Sequence, residues 1–350
     1  MNTIPRLRFL VFGAGAIGTY IGGSLALIGQ QVVFTERPEV ASLLSKRGIR
    51  LCVGERQLTV PNPVVTGSID EALTRGPYDA AIFAVKAYDT TPTLINLAPY
   101  SVALPPLICF QNGVENEDVL RSVLGAQKVI AGSVTTAIGR QGPGNVVVER
   151  KRGIGIAGNH RLTPALLGIF NAAGLNAHYY VDGPAMKWSK LITNLLANAA
   201  SAILDWSPAQ VFADPGISRI EIRQIREAFK VMDSLHYRVV DLPGTPVRAL
   251  AFLIRYLPAS IARPLLSRSV GEGRGGKMPS LHIDLYLQRG KSEVDFLNGA
   301  VVRFGERCGV PTPVNRILTE TLLALTEKRL PLDTYANRPV KYVGLFSSRS

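Results

Sequence analysis

Six residues near the start of the chain, Gly13-Ala14-Gly15-Ala16-Ile17-Gly18, constrain its fold more than any others. They follow the apolar run RFLVF (8–12) directly and open the stretch AIGTYIGGSLALIG, whose apolar spacing reads as a helix. Strand, glycine turn and helix in that order are the start of a nucleotide-binding βαβ unit. The first two glycines allow a tight turn and close approach of backbone to a diphosphate, and the third lets helix and strand pack. The unpaired N–H groups at the helix end then face the ligand's negative charge. A glycine-rich turn without a ligand is the plainer reading, but the order of the elements favours a dinucleotide, bound by all six residues.

The first half continues this alternation. VVFTE (32–36), AAIFAV (80–85), LICF (107–110) and VIAGSVTT (129–136) read as strands with helical patterns between most of them, which implies a parallel, doubly wound α/β sheet. NVVVE (145–149), GIGIAG (153–158) and NAHYY (176–180) are expected to extend the same sheet. Near residues 181–188, Gly183 and Pro184 punctuate the chain. Apolar spacing close to 3.6 then takes over, as in WSKLITNLLANAASAIL and EIRQIREAFKVMDSL. At 350 residues the chain exceeds what one core usually holds, about 250 to 300. The expectation is an N-terminal Rossmann-like doubly wound sheet over 1–182 and a C-terminal all-helical domain over 183–350.

With 47% hydrophobic and 19% charged residues, global disorder is excluded. The net charge of +13 is spread without a dense basic tract, so no nucleic-acid partner is expected. The most apolar long stretch, Val247 to Leu266, is interrupted by Arg248, Arg255, Arg263, Pro258 and Pro264, so no membrane partner is expected either. The opening residues carry no leader-like cleavage signal, and Cys52, Cys109 and Cys308 form no C-x-x-C pair. A cytoplasmic protein is the expectation. His160, His178, His236 and His282 show no metal-ligand spacing, so no metal is assigned. From His236 to Lys277 the chain carries seven basic residues against Asp241 and Glu272. This stretch is expected to form amphipathic helices with Arg248, Arg255, Arg263 and Arg268 on their outer faces, near the active site or at a subunit contact. A homodimer is left open.

Several residues stand where chemistry is expected. Glu36 and Arg37 end the second strand, where an acid accepts from ribose hydroxyls and an arginine pairs with an additional phosphate. NADPH is expected over NADH because of Arg37, with Glu36 as the opposing feature. Lys86 and Asn112 follow predicted strands and so reach the ligand crevice of a parallel sheet, although each alone also suits an ordinary turn. Lys190, Asn194 and Asn198, four residues apart, would project to one side of a single helix among Leu191, Ile192, Leu195 and Leu196. A solvated face is the bland alternative. Glu293 and Asp295 stand at the apparent start of a helix, where carboxylates commonly offset the dipole.

Gly13-x-Gly15-x-x-Gly18, Lys86-Ala87, Gln111-Asn112-Gly113, Thr135-Thr136, Lys190/Asn194/Asn198, Pro279-Ser280 and Glu293-Val294-Asp295 with Asn298-Gly299 occur in an order that resembles the ketopantoate reductases. The resemblance runs from about residue 8 to about residue 325. It implies that the first domain binds a dinucleotide, that the second carries substrate and catalytic groups, and that the active site lies in the cleft between them. It also implies reduction of 2-dehydropantoate to pantoate with NADPH, toward pantothenate and coenzyme A.

On this resemblance Lys190 is the catalytic lysine and Glu293 an acid beside lysine and cofactor. Asn112, Asn194, Asn198 and Ser280 contact the oxo acid, Asn112 also meeting the cofactor. Arg37 and Lys86 approach the adenosine phosphate and ribose, and Ile138 supplies a backbone cofactor contact. The chemistry agrees, because hydride addition to a ketone leaves negative charge on oxygen that an ammonium can stabilise and protonate. The stretches 236–277 and 284–293 are longer than the usual family pattern and lie near the expected substrate mouth, which would suit a bulkier 2-oxo acid. The alternatives are a related NAD(P)-dependent dehydrogenase of another 2-oxo or 2-hydroxy acid, or a non-catalytic NADP-binding protein.

Overall fold

The computed structural model describes residues 4–274 and 278–347. Gly276 and Lys277, and the side chain of Arg268, lie outside the described residues. The chain divides into two compact units, Met1–Lys187 with Leu242–Thr245, and Trp188–Asp241 with Pro246–Ser350.

The first unit contains strands β1 (Arg8–Phe12), β2 (Gln31–Thr35), β3 (Ile49–Val53), β4 (Arg56–Val60), β5 (Val64–Thr66), β6 (Ala80–Phe83), β7 (Leu107–Cys109), β8 (Val129–Val134), β9 (Ala137–Gly142), β10 (Asn145–Arg150), β11 (Ile154–Ala157) and β12 (Ala177–Tyr180). Its helices are α1 (Ala16–Leu27), α2 (Pro38–Arg47), α3 (Ile69–Thr74), α4 (Thr90–Leu97), α5 (Asn116–Leu124) and α6 (Thr163–Ala172). Helix α7 (Gly183–Leu195) begins in this unit, and the division falls within it after Lys187.

The main sheet runs β12-β11-β8-β7-β6-β1-β2-β5, parallel throughout except between β8 and β11. Phe9, Leu10, Val11 and Phe12 of β1 are buried, as a central strand covered on both faces requires. Strand order reverses around β1, whose neighbours are β2 and β6, and this reversal opens the crevice at the strands' carboxyl ends.

NVVVE does not extend this sheet. It forms β10 in a separate four-stranded sheet, β4-β3-β10-β9. The burial of the two runs explains the difference. All of β11 is buried, which suits a strand covered on both faces, whereas β10 alternates and turns only Val146 and Val148 into the core beside Ile49 and Leu51. GIGIAG and NAHYY supply β11 and β12 of the main sheet, as expected.

The second unit is helical: α8 (Asn198–Leu204), α9 (Pro208–Ala213), α10 (Pro215–Ser234), α11 (Val247–Tyr256), α12 (Ala259–Arg274), α13 (Ser280–Tyr286), α14 (Val294–Arg307), α15 (Pro313–Thr326) and α16 (Pro339–Gly344). Helix α10 buries Ile217, Ile220, Ile225, Ala228 and Phe229, with Glu221, Gln224 and Glu227 on the buried side as well. The arginine-rich stretch forms α11 and α12, but its arginines do not all face outward. Arg248 is exposed and pairs with Asp241 at 2.7 Å. Arg255 lies 4.5 Å over the Phe229 ring and pairs with Asp233 at 2.9 Å, as a side chain with a long apolar stem and a charged tip can. Phe252 and Tyr256 are exposed instead, at 60% and 68%, and border an open depression of about 580 Å³ with Asp233, His236 and Tyr237. Among the described residues no helix is long and apolar enough to cross a membrane.

Gly18 carries a strong steric demand, since a Cβ there would stand 1.9 Å from the Gly13 carbonyl oxygen. Gly18→Ala is expected to cost about 1–3 kcal/mol, the usual scale of overpacking, read as a lowered urea midpoint of the purified protein. A midpoint equal to the wild type's would show that α1 shifts freely against β1.

Candidate active site

Four neighbouring strands of the first unit end in the residues expected to meet a dinucleotide. Gly13 follows β1, Glu36 and Arg37 follow β2, Lys86 lies three residues beyond β6, and Asn112 lies three beyond β7. Gly13 takes φ +88°, a conformation that favours glycine, and its N–H donates to the Thr35 carbonyl at 3.1 Å. Helix α1 starts without a side-chain cap or an acidic residue in its first turn, and a Cβ on Gly15 would meet nothing within 4 Å. Open space beside an uncapped helix end fits a diphosphate.

Glu36 turns back on the glycine loop, where its Oε1 accepts from the Ala14 N–H at 2.5 Å. Arg37 is exposed and precedes α2 in an extended conformation. Ile138 is not in the strand-end row. It lies in β9 opposite Val148, in the small sheet that packs against α1. Thr135 and Thr136 are buried and serve the fold: Thr135 Oγ1 donates to the Gly153 and Pro243 carbonyls at 3.0 and 2.8 Å, and Thr136 Oγ1 accepts from the Gly153 N–H at 3.0 Å.

In the second unit the structure corrects the single-helix reading of Lys190, Asn194 and Asn198. Helix α7 ends at Leu195, Ala197 takes the left-handed φ of +50°, and Asn198 begins α8. The three residues therefore do not form one helical stripe. The physical reason is a set of buried polar side chains that replace the missing helical bonds. Glu221 Oε2 accepts from the Ala197 N–H at 2.7 Å, and Gln224 Nε2 donates to the Leu195 carbonyl at 3.2 Å. Asn198 bridges the break, its Nδ2 donating to the Asn194 carbonyl at 3.0 Å while its Oδ1 accepts from the Leu281 N–H at 3.2 Å.

Asn198 is thus 4% exposed with both ends of its amide engaged in the fold, holding Asn194 and the start of α13 together. Ser280 is the first residue of α13 and is exposed. Lys190 and Asn194 are half-buried on α7. Glu293 is 2% exposed immediately before α14, whose Phe304 packs edge-on against Trp188 of α7, with ring centroids 5.3 Å apart. Asp295 pairs with Arg303 at 2.8 Å.

Two groups of residues were missed in the sequence. Asn298 is buried and donates to Gln224 Oε1 at 2.9 Å and Asn315 Oδ1 at 3.0 Å, so it supports the helix break from behind. Its signal was its place in the Glu-Val-Asp…Asn-Gly run. Lys187 and Glu117 form a buried ion pair in the first unit, and a lysine and a glutamate 70 residues apart carry no sequence signal of pairing. Among the described residues no cluster of His, Cys, Asp and Glu could hold a metal ion.

Two family models match the chain. "Ketopantoate reductase PanE/ApbA" covers residues 9–159 and its C-terminal counterpart covers residues 184–326. A 2-dehydropantoate 2-reductase of Archaeoglobus fulgidus is 27% identical over 322 residues, 89% of this chain and 95% of the relative. Among solved structures, a PanE/ApbA family ketopantoate reductase from Ralstonia eutropha superposes with a TM-score of 0.76 at 28% identity, covering 92% of this chain and 99% of that one. D-mandelate dehydrogenase with NADH and anilino(oxo)acetate has a TM-score of 0.75 at 20% identity, with the same coverage of 92% and 99%.

Asn198→Ala leaves the buried Leu281 N–H and the Asn194 carbonyl without their partner. It is expected to cost about 1–3 kcal/mol for each orphaned group, measured by urea unfolding. Asn198→Asp keeps the acceptor for Leu281 but sets a buried carboxylate oxygen against the Asn194 carbonyl and should cost at least as much; a midpoint unchanged in both variants would mean that Asn198 is not the bridge across the break.

Proposed function

We propose that this chain, which belongs to the ketopantoate reductase family and is an oxidoreductase, reduces 2-dehydropantoate to pantoate with NADPH, a step of pantothenate biosynthesis. The observation that carries this reading is the second unit's polar set: Lys190 stands one turn before Asn194, and Asn198 ties Asn194 to the segment that begins with Ser280. Substrates of this class are small 2-oxo acids. The helical unit would act as the substrate and catalytic domain and the strand ends of the first unit as the dinucleotide domain.

A bound nicotinamide cofactor supplies the hydride. The chain's own groups do the rest. In the glycine loop, Gly13, Ala14, Gly15, Ala16, Ile17 and Gly18 receive the diphosphate, with Lys86, Asn112, Ile138 and Glu293 as further cofactor contacts. As charge develops on the keto oxygen, the Lys190 ammonium stabilises it and donates a proton to it. Asn112, Asn194 and the Ser280 hydroxyl orient the oxo acid through neutral hydrogen bonds, so its carboxylate and keto oxygen keep one register. Asn198 contributes by holding Asn194. Glu293, buried ahead of α14, balances the charge of Lys190. A cytoplasmic location is part of the same proposal.

Arg37 supports NADPH, because an exposed guanidinium after β2 can pair with a 2′-phosphate through a charge-assisted fork. A second reading, NADH-dependent reduction of a bulkier 2-oxo acid, has one observation in its favour. The Glu36 carboxylate already stands at the glycine loop, where it would accept from ribose hydroxyls and repel an added phosphate. Assay of the purified protein with 2-dehydropantoate against a panel of branched and aromatic 2-oxo acids, using each cofactor in turn, decides between them.

Lys190→Ala should lower kcat by at least about 10²-fold while NADPH affinity, followed by fluorescence titration, stays near wild type. Near-normal hydride transfer in a stopped-flow trace of this variant would remove the lysine from the mechanism. Arg37→Ala should raise the KM for NADPH far more than that for NADH, and equal effects on the two cofactors would leave NADPH selectivity without its basis.

A further inference from the structure

Three residues before Lys190, a second lysine is held where it cannot meet substrate. The side chain of Lys187 is 4% exposed, and its ammonium lies 2.8 Å from Glu117 Oε1, whose side chain is 6% exposed. Nζ also donates to the Gln111 carbonyl at 2.6 Å and to the Gly132 carbonyl at 3.3 Å. Its three N–H directions are thus matched by one carboxylate oxygen and two carbonyls. Burial is the largest single influence and lowers the lysine's pKa, but the neighbouring Glu117, by charge and hydrogen bond, and Cys109 together outweigh it and hold the ammonium above the ordinary lysine value.

A buried ion pair of this kind is a poor source of stability. Its desolvation cost roughly cancels its attraction, and well-packed apolar replacements are often neutral or stabilising. Its distinctive product is geometry, and here the geometry converges on Asn112. The Gln111 carbonyl held by Lys187 belongs to the peptide preceding Asn112, and the Asn112 carbonyl accepts from Asn116 Nδ2 at 2.7 Å. Both peptide planes that flank Asn112 are therefore fixed by side chains.

The same network reaches the neighbouring strand end. Gln111 Nε2 donates to the Val85 carbonyl at 2.9 Å, which fixes the peptide preceding Lys86, and to Thr90 Oγ1 at 2.7 Å. Thr90 Oγ1 in turn donates to Asn116 Oδ1 at 3.2 Å. One chain of buried polar groups thus locks the two loops that carry Lys86 and Asn112, with a charged anchor at its end.

We propose that Lys187, anchored by Glu117, is a positioning residue of the reductase: it clamps the Gln111–Asn112 peptide, together with Asn116 on the other side, and so presents Asn112 to cofactor and oxo acid. This rests on the reading of the chain as a 2-oxo acid reductase that uses Asn112.

The test is a double variant, Lys187→Met with Glu117→Leu, which removes both charges at once. Its urea midpoint is expected to fall only modestly, because the two charges leave together and the cost that remains is that of the Gln111 and Gly132 carbonyls losing their donor. Its kcat/KM for the oxo acid should fall at least about tenfold, since misplacement of about 1 Å can cost 10²-fold. Calorimetric binding of the oxo acid to enzyme saturated with NADP+ should weaken in parallel. Asn112→Ala should lower kcat/KM about tenfold in the wild type but less than about twofold in the double variant, because the clamp acts through that residue.

An active wild type whose stable double variant keeps its kcat/KM overturns the proposal alone, as does an Asn112→Ala loss that is equal in both backgrounds. A wild type that turns over no oxo acid overturns the function reading, and the proposal with it. Should the double variant not fold, Asn116→Asp keeps the shape and removes the donor to the Asn112 carbonyl. It is expected to lower kcat/KM in the same way, and an unchanged value there also overturns the clamp.

Discussion

The buried carboxylate of Glu221 stands where a helical carbonyl would otherwise be, accepting the Ala197 amide at the break between α7 and α8. Without it, that amide would be a buried donor with no partner, which costs enough to make the break unfavourable. The break in turn lets Asn198 reach back to Asn194 and across to Leu281. Gln224, Asn298, Asn315 and Glu227 continue the support, Glu227 accepting from the Val314 and Asn315 amides at 3.0 Å each. Burial, reinforced by the Glu221 charge, also holds the Tyr342 hydroxyl far above the ordinary phenol range, so this side chain stays neutral. A region described by its apolar helices is organised by its polar interior.

How much of this could be read from the sequence depended on whether the determinant was local. The turn at Gly13 to Gly18 is a local matter of sterics, and the residues beside it predicted strand, loop and helix correctly. The central strands are continuous apolar runs, and those also declare themselves. The break at Ala197 does not, because alanine is the best helix former and it is the alanine, not the neighbouring Asn194 or Asn198, that takes the left-handed region. Its cause is a glutamate 24 residues away. The small sheet failed for a related reason. NVVVE has the same composition as a central strand, and only its alternating exposure, set by pairing with Ile49–Val53, separates the two.

The candidate site shows the same division. Residue types and order marked Asn112 and Asn194, while the groups that hold them, Lys187 with Asn116 and Asn198, came into view only in three dimensions. Asn198 was expected at the substrate and is engaged at both ends by the backbone. Arg255 was expected on an outer face and instead lies over Phe229. For Arg255 a polar side chain within an apolar pattern had two plausible destinations, and a long-range partner chose between them; Asn198 carries a backbone bridge in addition to its proposed place at the substrate.

The short hairpin at Leu242–Thr245 bears on how such a chain can be taken apart. It belongs to the first unit although more than fifty residues of the second precede it, and its Pro243 carbonyl receives the buried Thr135 hydroxyl. The first unit is thus not a contiguous stretch of sequence. Cutting the chain once after Lys187 would strip that half of a piece of its own wall, and grafting a foreign helical half onto it would have to supply the same four residues. The two units are distinct in architecture, yet the chain interleaves them, so no single cut separates one from the other.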